Sequence, residues 1–233
     1  MKFQEKLIKG SFIKRYKRFF ADVELHNGDT VVSHCPNTGS MKGLLDFDSA
    51  YISHVDDPKR KLKYTLQIIE KDNVRVGVNT HLTNHIAVEG IKLGLIEELK
   101  EYKELKTEVK YGSQNSRIDI LLTEEDNTLH YVEVKNTTLA EGDKAKFPDA
   151  VTTRGQKHLQ ELTEMVQAGH KASMLYIVNR NDCNEFSPAT EIDPEYTKLL
   201  KQAVASGVQV LVYSCSLSDE EIIIDKKLKV NID

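Results

Sequence analysis

The pattern of apolar residues changes near Thr80, and this change divides the chain into two parts. Before Thr80 the pattern predicts five short β-strands, at residues 19–25, 30–33, 50–55, 64–70 and 74–78. Turn signals rich in Asn, Asp, Gly and Pro separate these strands. Five short strands with little helix favour a small closed barrel, and an OB-like barrel is a common fold of this kind.

After Thr80, helical periodicity alternates with apolar strands. Three helices are predicted. The first starts at Leu82 or Asn84 and ends near Leu99, the second spans 153–169, and the third spans 193–207. The predicted strands span 108–111, 117–122, 129–134, 172–178 and 208–213, and an extended tail covers 222–230. This alternation is typical of an α/β fold around a mixed sheet. We therefore predict two domains, an OB-like β-barrel over residues 1–80 and an α/β domain over residues 81–233.

Charge divides at the same place. The formal net charge of the whole chain is -4, which is unusual for a protein that binds nucleic acid. Residues 1–80 contain 14 Lys and Arg against 10 Asp and Glu, whereas residues 81–233 contain 18 against 26. The barrel therefore has a net charge of +4 and the α/β domain one of -8.

The positive charge of the barrel is concentrated in two clusters, which are candidates for binding nucleic acid. The clusters are Lys14, Arg15, Tyr16, Lys17 and Arg18, and Lys59, Arg60 and Lys61. Cations beside an aromatic ring suit a surface that contacts phosphates and stacks bases. Lysines also protect exposed sheet edges from aggregation, and the sequence leaves both explanations open.

Cysteine usage and hydropathy predict a cytoplasmic protein that does not insert into a membrane. Cys35, Cys183 and Cys215 are widely spaced, which argues against both a disulfide framework and a zinc ribbon. No apolar run approaches the roughly 18 residues that a membrane-spanning helix needs. The N-terminal residues are charged throughout and lack the apolar region of a signal peptide.

Two carboxylates stand in segments that otherwise predict buried strands. Asp119 interrupts the apolar run of residues 117–122, and an unpaired buried Asp is costly. Glu133 and Lys135 point to one face of the next strand, because side chains alternate along a strand. The connection at residues 124–127 predicts a hairpin that brings these three side chains together.

Two carboxylates and an amine at strand ends form a candidate site for Mg²⁺ or Mn²⁺. Such a cation takes one or two carboxylates and completes its shell with water and phosphate oxygens. Lys135 could hold an attacking water or stabilise a pentavalent transition state. The alternative is that Glu133 and Lys135 form an ordinary charge pair on an exposed face.

The predicted first helix offers a third acid, Glu89. It falls in the apolar stripe of Leu82, Ile86, Leu93 and Ile96, so it would face the sheet and reach the cation. Alternatively, Glu89 lies at the edge of the stripe and pairs with Lys92 or reaches solvent.

The start of the second predicted helix gathers further polar groups. Thr153 and Gln156 fit a capping box, and Gln156 is also a candidate catalytic residue. Arg154 and Lys157 are candidates for nucleic-acid binding, since a helix N-terminus favours phosphate. His158 is a weaker candidate for a general base than for a polar residue of the first turn.

The order of helix, hairpin with both acids, second helix and strand resembles the PD-(D/E)XK nuclease core. Asp119, Glu133 and Lys135 fall on its motif positions, and Glu89 falls on its first-helix acid. The chain as a whole resembles the sugar fermentation stimulation protein family. The stretches that carry this resemblance are 13–19, 34–41, 73–80, 111–112, 116–119, 131–135, 147–158 and 191–196.

The resemblance implies an OB-like domain followed by a nuclease-like domain, DNA binding, and a regulatory role in sugar (maltose) utilisation. The function predicted from these observations is a DNA-binding protein that hydrolyses nucleic-acid phosphodiesters with Mg²⁺, with RNA as a further possible substrate. The alternative is a non-catalytic DNA-binding regulator of sugar utilisation genes. Sugar binding by the barrel ranks last, because the chain contains no Trp to stack on a sugar ring.

Overall fold

The first strands of the computed structural model, which describes residues 1–37, 39–112 and 116–232, close into a barrel. The strands are β1 (Ile8–Tyr16), β2 (Phe20–Leu25), β3 (Thr30–His34), β4 (Ser49–His54), β5 (Tyr64–Lys71) and β6 (Val74–Gly77). The ring runs β3-β2-β1-β4-β5, and a parallel pairing of β3 with β5 closes it. β6 pairs with β5 outside the ring. The predicted OB-like barrel is therefore confirmed.

One predicted barrel strand is assigned differently. The sequence pattern counted β6 among the five strands and gave no strand before Phe19, whereas the structure has β1 in the ring. β1 buries only Gly10 and Phe12 and exposes its lysines, so its apolar alternation is weak. Gly10 is required at this position, because a Cβ there would lie 2.5 Å from the backbone oxygen of Glu24 on β2.

A six-stranded mixed sheet forms the centre of the second part. In sequence order its strands are β7 (Glu104–Tyr111), β8 (Ser116–Thr123), β9 (Leu129–Thr137), β12 (Lys171–Val178), β14 (Gln209–Leu217) and β15 (Ile222–Lys227). A smaller sheet contains β10 (Leu139–Glu141), β11 (Lys144–Phe147), β13 (Glu185–Pro188) and β16 (Lys229–Val230). The large sheet has the order β15-β14-β12-β9-β8-β7, with β9, β12 and β14 parallel. The mixed sheet is confirmed, while the smaller sheet was not predicted apart from an extended tail.

Three α-helices cover the two faces of the large sheet. They are α1 (Thr83–Lys92), α2 (Thr153–Gln167) and α3 (Pro194–Ala205). The first packs its apolar side chains into one core cluster, and the other two pack into the cluster on the opposite face. In the described ranges, we find no helix whose length and hydropathy would allow it to cross a membrane.

The first helix is shorter than the sequence pattern suggests. It ends at Lys92, and the backbone N–H groups of Gly94 and Leu95 donate to the carbonyls of Ile91 and Gly90. Gly94 has a φ of 69°, the left-handed conformation that favours glycine at a helix end. The residues up to Leu99 instead form a bend and a short 3-10 helix at Glu97–Leu99.

The barrel and the mixed-sheet part contact each other beside the ends of β9 and β12. The backbone N–H of Gly77 donates to the carbonyl of Asn179 at 2.8 Å. The Ser40 hydroxyl donates to an Asp149 carboxylate oxygen at 3.0 Å. Through these contacts a loop of the barrel lies next to the end of the strand that carries Glu133 and Lys135.

Candidate active site

Asp119 lies where strands β8 and β9 separate. Their pairing runs from Thr123–Leu129 to Ile120–Val132, and the next pairs in this register would be Asp119 with Glu133 and then Ile118 with Val134. Instead, the backbone N–H of Val134 donates to Asp119 Oδ2 at 2.8 Å. The carboxylate therefore takes the place of a ladder hydrogen bond, which fixes it at the fork between the two strands.

The other oxygen of Asp119 is held by helix α1. Asn84 Nδ2 donates to Asp119 Oδ1 at 2.8 Å. Two donors from different elements thus orient the carboxylate. The sequence pattern did not identify Asn84, although it lies one turn before Glu89 on the same predicted helix.

Glu133 and Lys135 meet on the face of β9 that α2 covers. Lys135 Nζ donates to Glu133 Oε1 at 2.6 Å, and His158 Nδ1 also bonds this oxygen. The side chains of Val132 and Val134 belong to the core cluster on the opposite face. The predicted hairpin and the predicted common face of Glu133 and Lys135 are confirmed.

Burial and mutual repulsion raise the pKa of Asp119. Loss of solvent is the larger cause, and the negative charge of Glu133 adds to it. For Glu133 burial also acts to raise the pKa, but the charge of Lys135 and the hydrogen bond from His158 lower it overall. The neighbours of Glu133 therefore stabilise its negative charge, whereas the charge of Lys135 and the hydrogen bonds from Val134 and Asn84 only partly offset the rise in the pKa of Asp119.

The donor atoms of this site suit a hard divalent cation. Glu133 is 2% exposed, and its Oε2 has no hydrogen-bond partner in the part of the chain that the structure describes. A buried carboxylate oxygen without a partner is costly, and a cation held by Asp119 and Glu133 would remove that cost. The described residues contain no group of three His, Cys, Asp or Glu side chains placed to hold a metal. Further ligands would be water or phosphate oxygens, as Mg²⁺ prefers.

Glu89 lies apart from this site. Its carboxylate pairs with the amino group of Met1 at 2.7 Å, and 40% of the side chain is exposed. The buried stripe of α1 is Thr83, Ile86, Ala87, Gly90 and Ile91, so the predicted stripe had the wrong phase. The side chain of α1 that contacts Asp119 is therefore the amide of Asn84, not the predicted third acid, Glu89.

The polar groups at the start of α2 divide between two sets of contacts. Thr152, not Thr153, is the N-cap, and its hydroxyl accepts from the backbone N–H of Gly155. Gln156 Nε2 donates to both Asp193 oxygens, at 2.9 and 3.1 Å, and so ties α2 to the N-cap of α3. These hydrogen bonds join Gln156 to Asp193 and not to Glu133 or Lys135, so they give Gln156 a structural role.

His158 lies in the site, where the sequence pattern ranked it low. It is 4% exposed and bonds Glu133 through Nδ1, while Arg154 Nε donates to its Nε2 at 3.4 Å. The signal available in the sequence was its position one residue before Leu159, on the apolar stripe of α2. Lys157 Nζ lies 3.9 Å from Glu161, a fully buried acid that the sequence pattern also missed.

The first basic cluster contains one structural cation and several exposed ones. Arg15 Nη2 donates to the carbonyls of Asn37 at 2.7 Å and Gly39 at 3.0 Å, and so holds the loop that follows β3. Lys17 and Arg18 are exposed in the turn between β1 and β2.

The flanking residues of this cluster contact one another. Lys14 lies 3.5 Å from Asp22 and above the ring of Tyr16, and that ring stacks on Phe20 at 5.5 Å. Tyr16 is therefore already stacked within the barrel, and the free cations of this cluster are at the tip of the hairpin.

The second basic cluster lies beside the end of β3. Lys59 and Lys61 are exposed, and Arg60 Nη2 donates to the hydroxyl of Thr65 at 3.0 Å. Thr65 pairs with His34 of β3, so Arg60 lies close to the end of that strand.

Comparisons with known proteins agree with this architecture. The family model described as the SfsA N-terminal OB domain matches residues 13–78, and that of the sugar fermentation stimulation protein RE domain matches residues 81–221. The chain is 49% identical over 232 residues to a sugar fermentation stimulation protein homolog of Shewanella frigidimarina, covering 99% of each chain. It is 49% identical over 227 residues to the homolog of Geotalea uraniireducens, covering 97% of each.

A solved structure is also similar over nearly the whole chain. It is described as the structure of Pyrococcus furiosus SfsA in complex with Ca²⁺, with a TM-score of 0.86 and 27% sequence identity. The match covers 99% of this chain and 98% of that one. The predicted fold class, an OB-like barrel followed by a nuclease-like mixed-sheet part, is confirmed.

Proposed function

Since the chain belongs to the sugar fermentation stimulation protein family, we propose that it binds DNA and hydrolyses phosphodiester bonds with Mg²⁺ or Mn²⁺. The observation that carries this proposal is the arrangement of Asp119, Glu133 and Lys135 at the fork between β8 and β9. A buried and a half-buried carboxylate, of which one Glu133 oxygen lacks a partner among the described residues, suit a cation better than they suit a purely structural role.

The residues around the acids prepare them to hold the cation. Asn84 and the backbone of Val134 orient Asp119, and His158 and Lys135 orient Glu133. Supporting hydrogen bonds of this kind keep ligand atoms in place before the ligand arrives. The Pyrococcus furiosus relative is described in complex with Ca²⁺, which supports divalent-cation binding by this chain.

The bound cation would neutralise charge on the phosphodiester and lower the pKa of a coordinated water. Lys135 Nζ lies 2.6 Å from Glu133 Oε1, with 14% of its side chain exposed. From this position the ammonium group can donate to the attacking water or to the phosphoryl oxygens that gain negative charge. Lys135 is therefore assigned the role of transition-state stabiliser in the proposed reaction.

The two parts of the chain take different tasks in this proposal. Residues 1–80, with a net charge of +4, contact the phosphate backbone through the exposed basic clusters. Residues 81–233, with a net charge of -8, hold the cation and carry out the reaction. Arg154, which is exposed beside His158, would contact a phosphate near the reacting bond.

The direct test is a cleavage assay on single- and double-stranded DNA and RNA, with Mg²⁺, with Mn²⁺ and with EDTA. Glu133→Gln keeps the volume of the side chain and removes its charge, and we expect it to lower cleavage at least about a hundredfold. Glu125→Gln, an exposed acid in the turn of the same hairpin, is the matched control and should cleave like wild type.

Two outcomes would overturn the catalytic assignment. Cleavage that persists in Glu133→Gln would point to a contaminating nuclease. Nucleic-acid binding without any cleavage would favour the alternative, a DNA-binding regulator whose nuclease-like part only binds.

A further inference from the structure

A groove between α1 and β7 opens beside Asp119. Its volume is about 590 Å³, and Asp119 forms part of its wall. The side chains that decide its chemistry are Asn84, Val88, Leu105, Thr107 and Glu108. Its position next to an acid of the proposed site means that any ligand here adjoins the reacting phosphate.

The lining of the groove combines two apolar side chains with polar ones. Val88 from α1 and Leu105 from β7 are half-buried and pack against the core beneath them. Thr107 and Glu108 are exposed on β7, and Asn84 is half-buried on α1. A nucleobase matches this lining, because its two faces are apolar and its edges carry hydrogen-bond donors and acceptors.

The acids in the wall decide which part of a nucleotide enters. Glu108 sits at an irregularity of β7, between the pairs Thr107–Ile120 and Val109–Ile118, which places it opposite Asp119. Beside Glu108 a phosphate would be repelled, whereas the amino groups of a base can donate to its carboxylate. Lys92, which also lines the groove, attracts phosphate, so this selection applies to the part of the groove next to Glu108. The base therefore fits the groove, and the phosphate fits its mouth.

A row of basic side chains connects this groove to the barrel. Arg60 donates to Thr65, the strand partner of His34. Burial first, and then the nearby charges of His81 and Arg60, lower the pKa of His34, so these three groups lie within electrostatic reach of one another. His81 also lines the groove, together with His85 and Lys92.

The connection is held in place by a contact between the two parts of the chain. Thr80, which begins the short 3-10 helix before α1, donates its hydroxyl to the carbonyl of Pro36 at 3.1 Å. In the arrangement proposed below, phosphates bound at Lys59 and Lys61 would continue past Arg60 and His81 to Asp119 along one surface. This surface tracks a single backbone from the barrel to the acids.

We propose that this groove receives the base of an unpaired nucleotide beside the reacting phosphate, so that single-stranded nucleic acid is the preferred substrate. A base in a duplex is stacked and paired and cannot enter a side groove unless it is first extruded. The inference rests on the proposed function, because it specifies the substrate of the same site.

The test measures binding of the full chain in Ca²⁺ to three fluorescent probes. They are a single DNA strand of mixed sequence, the same strand paired with its complement, and a strand of equal length that is abasic throughout. The phosphates are common to the two single strands, so a preference for the first over the third reports base contacts. We expect wild type to bind the base-bearing strand about tenfold more tightly than the abasic strand.

Groove-filling variants locate that preference. In Val88→Trp and Leu105→Trp an indole occupies the groove, and we expect both to bind the base-bearing and abasic strands equally. Leu95→Trp, at a side chain that is 38% exposed outside the groove, is the matched control and should keep the preference. Circular dichroism and the midpoint of thermal unfolding check that each variant folds.

The outcomes separate this inference from the function on which it rests. Equal binding of base-bearing and abasic strands by wild type overturns the groove assignment, even if both groove variants fail to fold. Folded groove variants that keep the preference also overturn it. If no probe binds and no strand is cleaved, the proposed function falls as well, whereas cleavage of duplex and single strands at equal rates overturns the groove assignment alone.

Discussion

Arg15 offers a sharp test of which cations in the barrel contact nucleic acid. Its guanidinium donates to the carbonyls of Asn37 and Gly39 and to that of Arg18, so its donors are already used within the protein. Lys17 and Arg18 are exposed at the tip of the same hairpin. We expect Arg15 to stabilise the fold, and Lys17 and Arg18 to bind phosphate.

Two variants separate these roles. Arg15→Lys keeps the positive charge, but its ammonium lies one bond short of the Nη2 position that bonds both partly buried carbonyls. Each charged hydrogen bond stabilises by roughly 1.5–3 kcal/mol. Loss of one such bond predicts about 2 kcal/mol of destabilisation, which lowers the unfolding midpoint of a chain this long by about 4–8 °C. The double variant Lys17→Gln and Arg18→Gln removes two exposed charges and should leave the midpoint unchanged.

The binding assay should give the opposite order. Fluorescence anisotropy with a labelled single strand, repeated over a series of salt concentrations, yields the slope of log affinity against log salt. Each phosphate contact contributes about 0.7 to this slope for single strands, so the double variant should reduce it by up to about 1.4. Arg15→Lys should keep the slope of wild type. A reduced slope in Arg15→Lys, with an unchanged unfolding midpoint, would refute this division of roles.

Three further predictions concern stability. Gly77→Ala should destabilise the chain, because its Cβ would lie 2.2–2.6 Å from side-chain atoms of Asn179, and Asn179→Ala in the same background should restore part of the loss in urea unfolding. Glu70→Gln should destabilise the chain at neutral pH. Although burial opposes it, hydrogen bonding to neighbouring cations lowers the pKa of Glu70 from 4.5 to about 2, so the difference from wild type should shrink as pH falls through this range in unfolding titrations. Asp119→Asn removes repulsion from Glu133, so its unfolding midpoint in EDTA should equal or exceed that of wild type, and it should lose the rise that Mg²⁺ produces in wild type.

The barrel was predictable as a class, but one of its strands was not. β2 stands out in the sequence because apolar and polar residues alternate along it, and β5 because Leu66, Ile68 and Ile69 give it a dense apolar segment. β1 shows no such alternation, since its inward side chains include Gly10 and its outward ones are mostly charged. Closing the ring requires β1 between β2 and β4, and that requirement is a property of the whole barrel.

The candidate site was predictable where a residue contradicts its local surroundings. Asp119, Glu133 and Lys135 are charged side chains in strands that otherwise predict burial, and the structure brings them to one fork. The residues that hydrogen-bond to them, such as Asn84, do not stand out from their neighbours in the sequence in this way. Asn84 is an ordinary polar residue near a helix start, and the difference between it and Glu89 depends on the phase of α1. That phase brings Gly90 against Ile224 of a distant segment, so closely that a Cβ at Gly90 would lie 2.7 Å from the Ile224 side chain.

Asp119 connects the fold and the chemistry through one hydrogen bond. Where β8 and β9 separate, the N–H of Val134 loses its ladder partner, and the Asp119 carboxylate accepts from it at 2.8 Å. An asparagine can still accept this bond through its amide oxygen, whereas an alanine leaves a backbone donor without a partner, which costs about 1–3 kcal/mol where it is buried. Asp119→Asn should therefore abolish cleavage without lowering the free energy of unfolding. Asp119→Ala should abolish cleavage and also lower the free energy of unfolding. In the proposed function, the side chain that would hold the cation is thus also the one that accepts the backbone hydrogen bond where β8 and β9 separate.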